Sequence, residues 1–258
     1  KGLVIEGCPE EYNNNNNLVY KSFMRIAEES GKKISGLKIT MNTNIPVSRG
    51  LGSSSACIVG GVFGANMLLG ANLSKDELFE AAVKIEGHPD NIAPAVYGGL
   101  IASMVDEGIP YYTRYKIHNN IKFCALIPDF ETSTEKARKL LPADIKFEDA
   151  VFNVSRISIL LKALETGDFF LINKSLKDRL HQSYRKTLIA EYDEVKKICN
   201  DHNSIAFFVS GSGPTLMNII ENFNFTKSIE NDIIELKNKW DIKFLQADEN
   251  GVVAEKLN

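Results

Sequence analysis

The 258-residue chain has no lysine and arginine block longer than a few residues, and its formal net charge is only -3. That excludes the basic surface needed for nucleic acid or an anionic membrane. Cysteine is scarce: Cys8, Cys57, Cys124 and Cys199 stand far apart and form no C-x-x-C pair. A zinc cluster or a secreted disulfide scaffold is therefore not expected, and a reducing cytoplasmic location fits best. Long apolar runs are missing too. The most apolar stretch, 56–69, is broken by Asn66 and falls short of the roughly 20 residues a bilayer requires, so it reads as a buried helix. Lys1-Gly-Leu-Val-Ile-Glu6 meets a glutamate before a signal-peptide core could form, and no export signal is read there. There is no internal repeat, and the one low-complexity patch is the asparagine run 13–17. What remains, 44% apolar and 24% charged, is an ordinary globular composition with enough core for one large domain or two small ones.

The richest stretch is Pro46-Val47-Ser48-Arg49-Gly50-Leu51-Gly52-Ser53-Ser54-Ser55-Ala56, a glycine and serine loop that runs directly into the apolar helix. Gly50 and Gly52 allow torsions and close approach that a side chain would forbid, so consecutive amides can converge on one anion. The helix start adds its positive end, and the three serines can donate to phosphate or ligate magnesium. A tight turn with serine caps accounts for the same residues equally well. No lysine follows the glycines as a Walker A loop requires, and no third glycine completes a dinucleotide fingerprint.

Along the chain, Leu3-Val4-Ile5 reads as a strand. Asn17 stands where a helix cap belongs, ahead of a Val19, Phe23, Ile26 stripe that stops at Gly31. Leu37, Ile39 and Met41 alternate as a half-buried strand leading to the loop. Ile58, Val62, Ala65 and Leu69 share a helical face that ends at Gly70, and Ser74-Lys-Asp-Glu77 is a capping box. On the helix that follows, Glu80 precedes Lys84 by four residues, the spacing of a simple surface pair. Glu86-Gly-His-Pro-Asp-Asn91 is densely polar between apolar flanks, which fits a capped turn or, better, a pocket wall. A strand is expected over 98–105, and the turn-rich 106–120 is taken as a boundary. Beyond it come a buried strand at 122–128, a polar helix start at Thr132 with the helix ending before Pro142, and a long helix to Gly167. A further helix runs from Asp168 to Arg185. A strand at 205–209 enters a second glycine loop, Ser210-Gly-Ser-Gly-Pro214, and final strands lie at 243–246 and 251–254. The alternation predicts an α+β architecture.

Read as Pro-x-x-x-Gly-Leu-Gly-Ser-Ser-x-Ala, the first loop resembles the phosphate-binding signature of the GHMP small-molecule kinases. Three further motifs agree in order: Glu-Gly-His-Pro-Asp-Asn-Ile-Ala-Pro at 86–94, His181-Gln-Ser-Tyr-Arg185, and Phe-Val-Ser-Gly-Ser-Gly-Pro-Thr-Leu at 208–216. The resemblance implies a two-lobed fold, with a β/α nucleotide-binding half at 1–115 that lacks the family's first strands and a ferredoxin-like α/β half at 116–258. It implies transfer of the ATP γ-phosphoryl to the side-chain hydroxyl of L-homoserine, on the way to threonine. By motif position the loop 46–56 would hold the triphosphate, and Ser53 and Glu80 would hold Mg2+. His88, Asp90, Asn91, Arg138 and Arg185 would receive the amino acid, with Ser53, Glu80 and Arg138 closest to the catalytic step. Asn17 would lie near the nucleotide base, and the Ser210 loop would line the same cleft. The expected partners are ATP, the small-molecule substrate and a second copy of the chain, without nucleic acid or membrane. Two other readings share the loop: a GHMP kinase for a mevalonate-type alcohol, and a metabolite-binding protein of this fold that does not turn over.

Overall fold

The computed structural model describes residues 2–256; Lys1, from which the N-terminal reading starts, lies outside them, as do Leu257 and Asn258. Packing divides the chain into two units. One takes the residues up to Pro46, Gly52–Arg114 and the stretch from Asp248 on; the other takes Val47–Leu51 and Tyr115–Ala247.

In the first unit, β1 (Gly2–Glu6) is followed by α1 (Leu18–Glu29) and β2 (Gly36–Thr40), and the two strands pair in parallel with Leu3 opposite Leu37 and Ile5 opposite Ile39. Asn17 starts α1 as expected: its Oδ1 accepts from Val19 N at 2.9 Å and Tyr20 N at 3.3 Å. α2 (Ser53–Leu69) is apolar on every side and ends on Gly70 in the left-handed region, φ 61°. Much of it is covered, although Met67 and Leu68 near its end stay exposed. α1, α3 (Lys75–Glu86) and α4 (Ile92–Tyr97) supply Phe23, Ile26, Leu78, Phe79, Ile92 and Val96 to the same core as Ile58, Val62 and Ala65. The Ser74–Glu77 capping box is complete.

Next come β3 (Leu100–Asp106) and β4 (Ile109–Tyr115), joined by Glu107 and Gly108 at φ 49° and 82°. Two successive positive torsions make the turn that suits a tight hairpin. The turn-rich reading of 106–120 was thus wrong for its first half, because Glu107 adopts a conformation that its residue type does not advertise. The strand expected at 251–254 is also absent. That segment is irregular, with Gly251 at φ 69° and one bond from Val252 N to Val96 O at 3.2 Å, while Val252 packs on the first core.

The second unit is built on β5 (Lys122–Pro128), followed by α5 (Thr134–Lys139), α6 (Phe147–Thr166), α7 (Phe169–Ser175), α8 (Gln182–Arg185) and α9 (Tyr192–Asp201). After these come β6 (Ala206–Val209), β7 (Leu216–Ile220), α10 (Asn224–Ile234) and β8 (Trp240–Leu245). The antiparallel sheet runs β6-β7-β5-β8, the ferredoxin-like order. Alternate residues Cys124, Leu126, Leu216, Ile220 and Trp240 face Val195, Cys199, Ile229 and Ile233 of α9 and α10. The helix expected over 168–185 is two pieces. Ser175 Oγ donates back to Leu171 O at 2.6 Å near the end of α7, and Asp178 takes the amides of His181 and Gln182 to begin α8.

α1 and α2 meet at Gly61, where a Cβ would overlap the Val19 carbonyl and lie 2.8 Å from Ser22 Cβ; at Gly60 a Cβ would meet open space. Gly61→Val is expected to cost about 1–3 kcal/mol or more from overpacking. Gly60→Ala should gain about 0.5–1 kcal/mol from helix propensity. Urea unfolding of the two variants measures the difference, and equal midpoints would contradict this packing.

Candidate active site

The front of the glycine loop belongs to the second unit, and its backbone alternates: Ser48, Gly50 and Gly52 have φ of 55°, 72° and 76°. Alternating torsions of this kind turn successive amides toward a common side. The second glycine loop holds this front half. Ser210 Oγ donates to Gly50 O at 2.8 Å and Thr215 N to Arg49 O at 3.3 Å. A Cβ on Gly50 would strike the carbonyls of Ser210 and Gly213. Arg49 is an anchor with its guanidinium already occupied. Nε donates to Pro128 O at 3.0 Å, Nη2 to Asp129 O at 2.9 Å and Nη1 to Val47 O at 3.1 Å, with Glu131 also 3.1 Å from Nη1. Of the loop residues expected to hold phosphate, Arg49 therefore offers only its backbone.

From Gly52 on, the loop belongs to the first unit. Gly52 caps α2 without a side chain, and the first in-helix bond is Ala56 N to Gly52 O at 3.0 Å. The Ser53, Ser54 and Ser55 amides are the donors that every helix leaves unpaired at its start. Ser54 Oγ donates to Glu86 Oε2 at 3.0 Å and Ser55 Oγ to Glu86 Oε1 at 3.2 Å. Glu80 is half-buried and has no hydrogen bond or ion pair among the described residues; the simple pair with Lys84 does not form. Asn17 is 3% exposed and its amide is committed on both sides, capping α1 and donating to Tyr12 O at 3.1 Å. A cleft of about 410 Å3 opens at Leu3, Asn13, Asn14, Asn15 and Asn16.

The Glu86 motif leaves α3 through Gly87 at φ 89°. His88 Nδ1 is buried with no hydrogen-bond partner, since Asp90 Oδ1 stands 3.6 Å away. Asp90 and Asn91 are exposed, and Asn91 precedes α4 without spending its side chain on a cap. One buried ring nitrogen and two uncommitted polar side chains therefore share one short turn.

In the second unit, Arg185 ends α8 with Nη1 on Gly211 O at 2.6 Å and a buried, unpartnered Nε. Burial lowers its pKa, Asp178 raises it, and the like charge of Arg138 lowers it again, so the two guanidinium groups sense each other. Neither forms an ion pair among the described residues. Thr134 at the head of α5 meets Ser212 at 3.2 Å. The second glycine loop thus borders the 48–50 backbone, the start of α5 and Arg185 within one unit.

Both glycine loops fall in stretches that match one enzyme family. The chain belongs to the GHMP kinases: residues 17–99 match the GHMP kinases N terminal domain and 160–225 the GHMP kinases C terminal. Kinases of this family use ATP as phosphate donor. Its similarity to particular members is closer still. It is 47% identical to homoserine kinase of Clostridium botulinum (strain ATCC 19397 / Type A), over 98% of this chain and 86% of that protein. It superposes on the crystal structure of homoserine kinase from Cytophaga hutchinsonii with a TM-score of 0.86 and 26% identity, covering 97% of this chain and 83% of that one. Mevalonate kinase of L. major has the same fold at 18% identity and a TM-score of 0.69, covering 90% of this chain and 78% of the other.

Three residues of this region went unassigned in the sequence reading: Glu86, Asp178 and Gln182. Gln182 Oε1 accepts from Val209 N at 2.8 Å, tying α8 to the end of β6. The Asp178 side chain is 7% exposed and accepts from Asn153 Nδ2, His181 N and Gln182 N at 2.7–2.8 Å. Burial pushes its pKa up, but these bonds and His181 outweigh that and hold it below the ordinary value. A carboxyl depressed on folding adds stability above its unfolded pKa, about 3.9, and loses it as pH falls through the folded value. Asp178→Asn should therefore melt below the wild type at neutral pH, and the gap should close as pH falls below about 4. A pH-independent gap in thermal scans would show that the charge is not what matters there.

Proposed function

We propose that this chain is a homoserine kinase, transferring the γ-phosphoryl of ATP to the side-chain hydroxyl of L-homoserine to give O-phospho-L-homoserine for threonine synthesis in the cytoplasm. The observation that carries it is the pair Arg138 and Arg185, close enough to sense one another and neither in an ion pair among the described residues, with the carboxylate that Arg185 feels, Asp178, already taken up by three hydrogen bonds. Planar guanidinium groups suit a carboxylate, which an amino-acid acceptor has. The exposed Asp90 and Asn91 suit its ammonium and hydroxyl, and the unpartnered His88 nitrogen gives that wall one more polar contact. Phosphoryl transfer asks chiefly for alignment and charge screening, so these groups position the acceptor and no general base is assigned.

The amides of the 46–56 loop and the positive end of α2 take the triphosphate, and Asn17 holds the wall on the base side. Ser53 and Glu80 are the proposed magnesium ligands. The donor set fits: a hydroxyl and an unpaired carboxylate are hard oxygens, and magnesium commonly takes only one or two protein ligands beside phosphate and water. No group of three or more acidic, histidine or cysteine residues that could hold a metal ion is found among the described residues. When bound, the ion screens the charge on the transferred group. The proposed functional halves are 1–115 for nucleotide and 116–258 for the second lobe, although 47–51 pack with the second unit and the stretch from Asp248 on with the first, and a second copy of the chain is the proposed partner. No helix among the described residues is long and apolar enough to cross a membrane.

A coupled ADP-release assay tests the reading. Homoserine should be turned over, while mevalonate and an amino alcohol of the same length without a carboxylate should be poor substrates. A charge-assisted hydrogen bond is worth about 1.5–3 kcal/mol, so Arg185→Ala should lose about ten- to a hundredfold in kcat/KM for homoserine with little change in ATP binding. Equal use of homoserine and the amino alcohol would sink the clamp; ligand binding without ADP release would leave only a binding protein. Glu80→Gln should fold normally and lose magnesium-dependent turnover by orders of magnitude, whereas a carboxylate that only solvates the helix surface would leave activity intact.

A further inference from the structure

A carboxylate on the last residue of a helix faces the negative end of that helix, and Glu86 stands there on α3. Its compensation comes from another helix. Both oxygens accept from hydroxyls of the first turn of α2, Oε2 from Ser54 at 3.0 Å and Oε1 from Ser55 at 3.2 Å. That turn contains no acidic residue and its cap, Gly52, has no side chain, so Glu86 supplies the negative charge that the positive end of α2 favours. Immediately after it, Gly87 sends the chain into His88, Pro89, Asp90 and Asn91. One carboxylate therefore joins the helix start proposed for phosphate to the turn proposed for the acceptor.

The direction of the bonds makes the serines unequal. A hydroxyl has one proton and two lone pairs. Ser54 and Ser55 commit their protons to Glu86 and have only lone pairs left to offer; Ser55 is 1% exposed, so the accessible pair is that of Ser54. Ser53 Oγ has no hydrogen-bond partner among the described residues and keeps its proton available. We propose that Glu86 is a positioning residue of the phosphoryl transfer, which acts through Ser54 by fixing that hydroxyl as an acceptor and by setting the start of α2 against the 88–91 turn. The proposal rests on the reading of 46–56 as the phosphate loop.

The test is a double-variant cycle with Ser54→Ala, Glu86→Ala and both together, joined by Glu86→Gln, which keeps one acceptor oxygen. ADP release and thermal unfolding are measured for each, with ATP calorimetry in the presence and absence of magnesium. Each alanine should lower kcat about tenfold or more. Because Glu86 acts through Ser54, the double variant should fall little below the worse single one. Glu86→Gln should recover part of the loss. With Ser53 and Glu80 as the direct ligands, a hydroxyl fixed as an acceptor would serve the ion through its bound water, so the gain in ATP affinity that magnesium brings should shrink in Glu86→Ala while metal-free affinity holds. A brace that merely stabilises the fold would lower both affinities and the melting midpoint together. Wild-type turnover in Glu86→Ala, losses that multiply in the double variant, or an equal fall in both affinities would overturn the proposal. Failure of the loop reading looks different: ATP would bind normally even to Gly52→Val.

Discussion

The approach of Gly50 to the second glycine loop is the constraint on which the active-site reading depends. Backbone meets backbone there, with a Cβ on Gly50 excluded by the Ser210 and Gly213 carbonyls and the contact closed by Ser210 Oγ on Gly50 O. The partners are 160 residues apart. Closing a loop of that length costs about 4–5 kcal/mol from its length dependence alone. The two hydrogen bonds across it, from Ser210 Oγ and Thr215 N, contribute roughly 1 kcal/mol each, so they cannot hold it unaided. The balance must come from the β5–β8 sheet and the helices packed on it, which place Ser210 at the end of β6 and Thr215 just before β7. The backbone at 49–50 is thus held by a core that contains none of its residues.

Charge is distributed in keeping with that economy. The loop's own cation, Arg49, is consumed by two carbonyls at the end of β5, its own loop and Glu131, so attraction for phosphate falls to amides and the α2 dipole. Fixed dipoles need no side-chain ordering when the ligand arrives, which is where a lysine would lose affinity. In the first unit Glu80 has no ion pair and Asp90 only the 3.6 Å approach to His88; in the second, Arg138 and Arg185 form no ion pair among the described residues, and Asp178 acts on Arg185 without one.

Much of this was legible in the sequence because the relevant signals are local. Asn17, Gly70, Ser74 and Gly167 act as the caps their residue types announce, and the Ile58, Val62, Ala65 face is buried. The four motifs identified the family because their order and spacing survive independently of packing. What escaped was set by tertiary contacts. The β3–β4 hairpin turns on Glu107, a residue with no special liking for positive φ, and α8 is separated from α7 by Asp178, whose role depends on Asn153 twenty-five residues earlier. Arg49 is indistinguishable in sequence from a phosphate ligand until the β5 carbonyls appear beside it. Glu86 sat inside a recognised motif yet stayed unassigned, because its partners lie 31 and 32 residues away on another helix.

The two glycines of the loop show how one motif can encode separate physical demands. Gly50 is required twice over, by φ 72° and by the carbonyls that fill the space of its missing side chain. Gly52 has the same kind of torsion, φ 76°, but nothing within 4 Å of where its Cβ would be. Its requirement is torsional, and the open space at that point is itself informative. A helix cap that presents neither side chain nor neighbour leaves the first amides of α2 accessible. The chain also passes from one unit to the other between Leu51 and Gly52. Steric necessity fixes the front of the loop to its sheet, and torsional freedom leaves the helix start uncovered at Gly52. A motif reading Gly-x-Gly satisfies both demands, because only a residue without Cβ meets the first and is the least strained choice for the second.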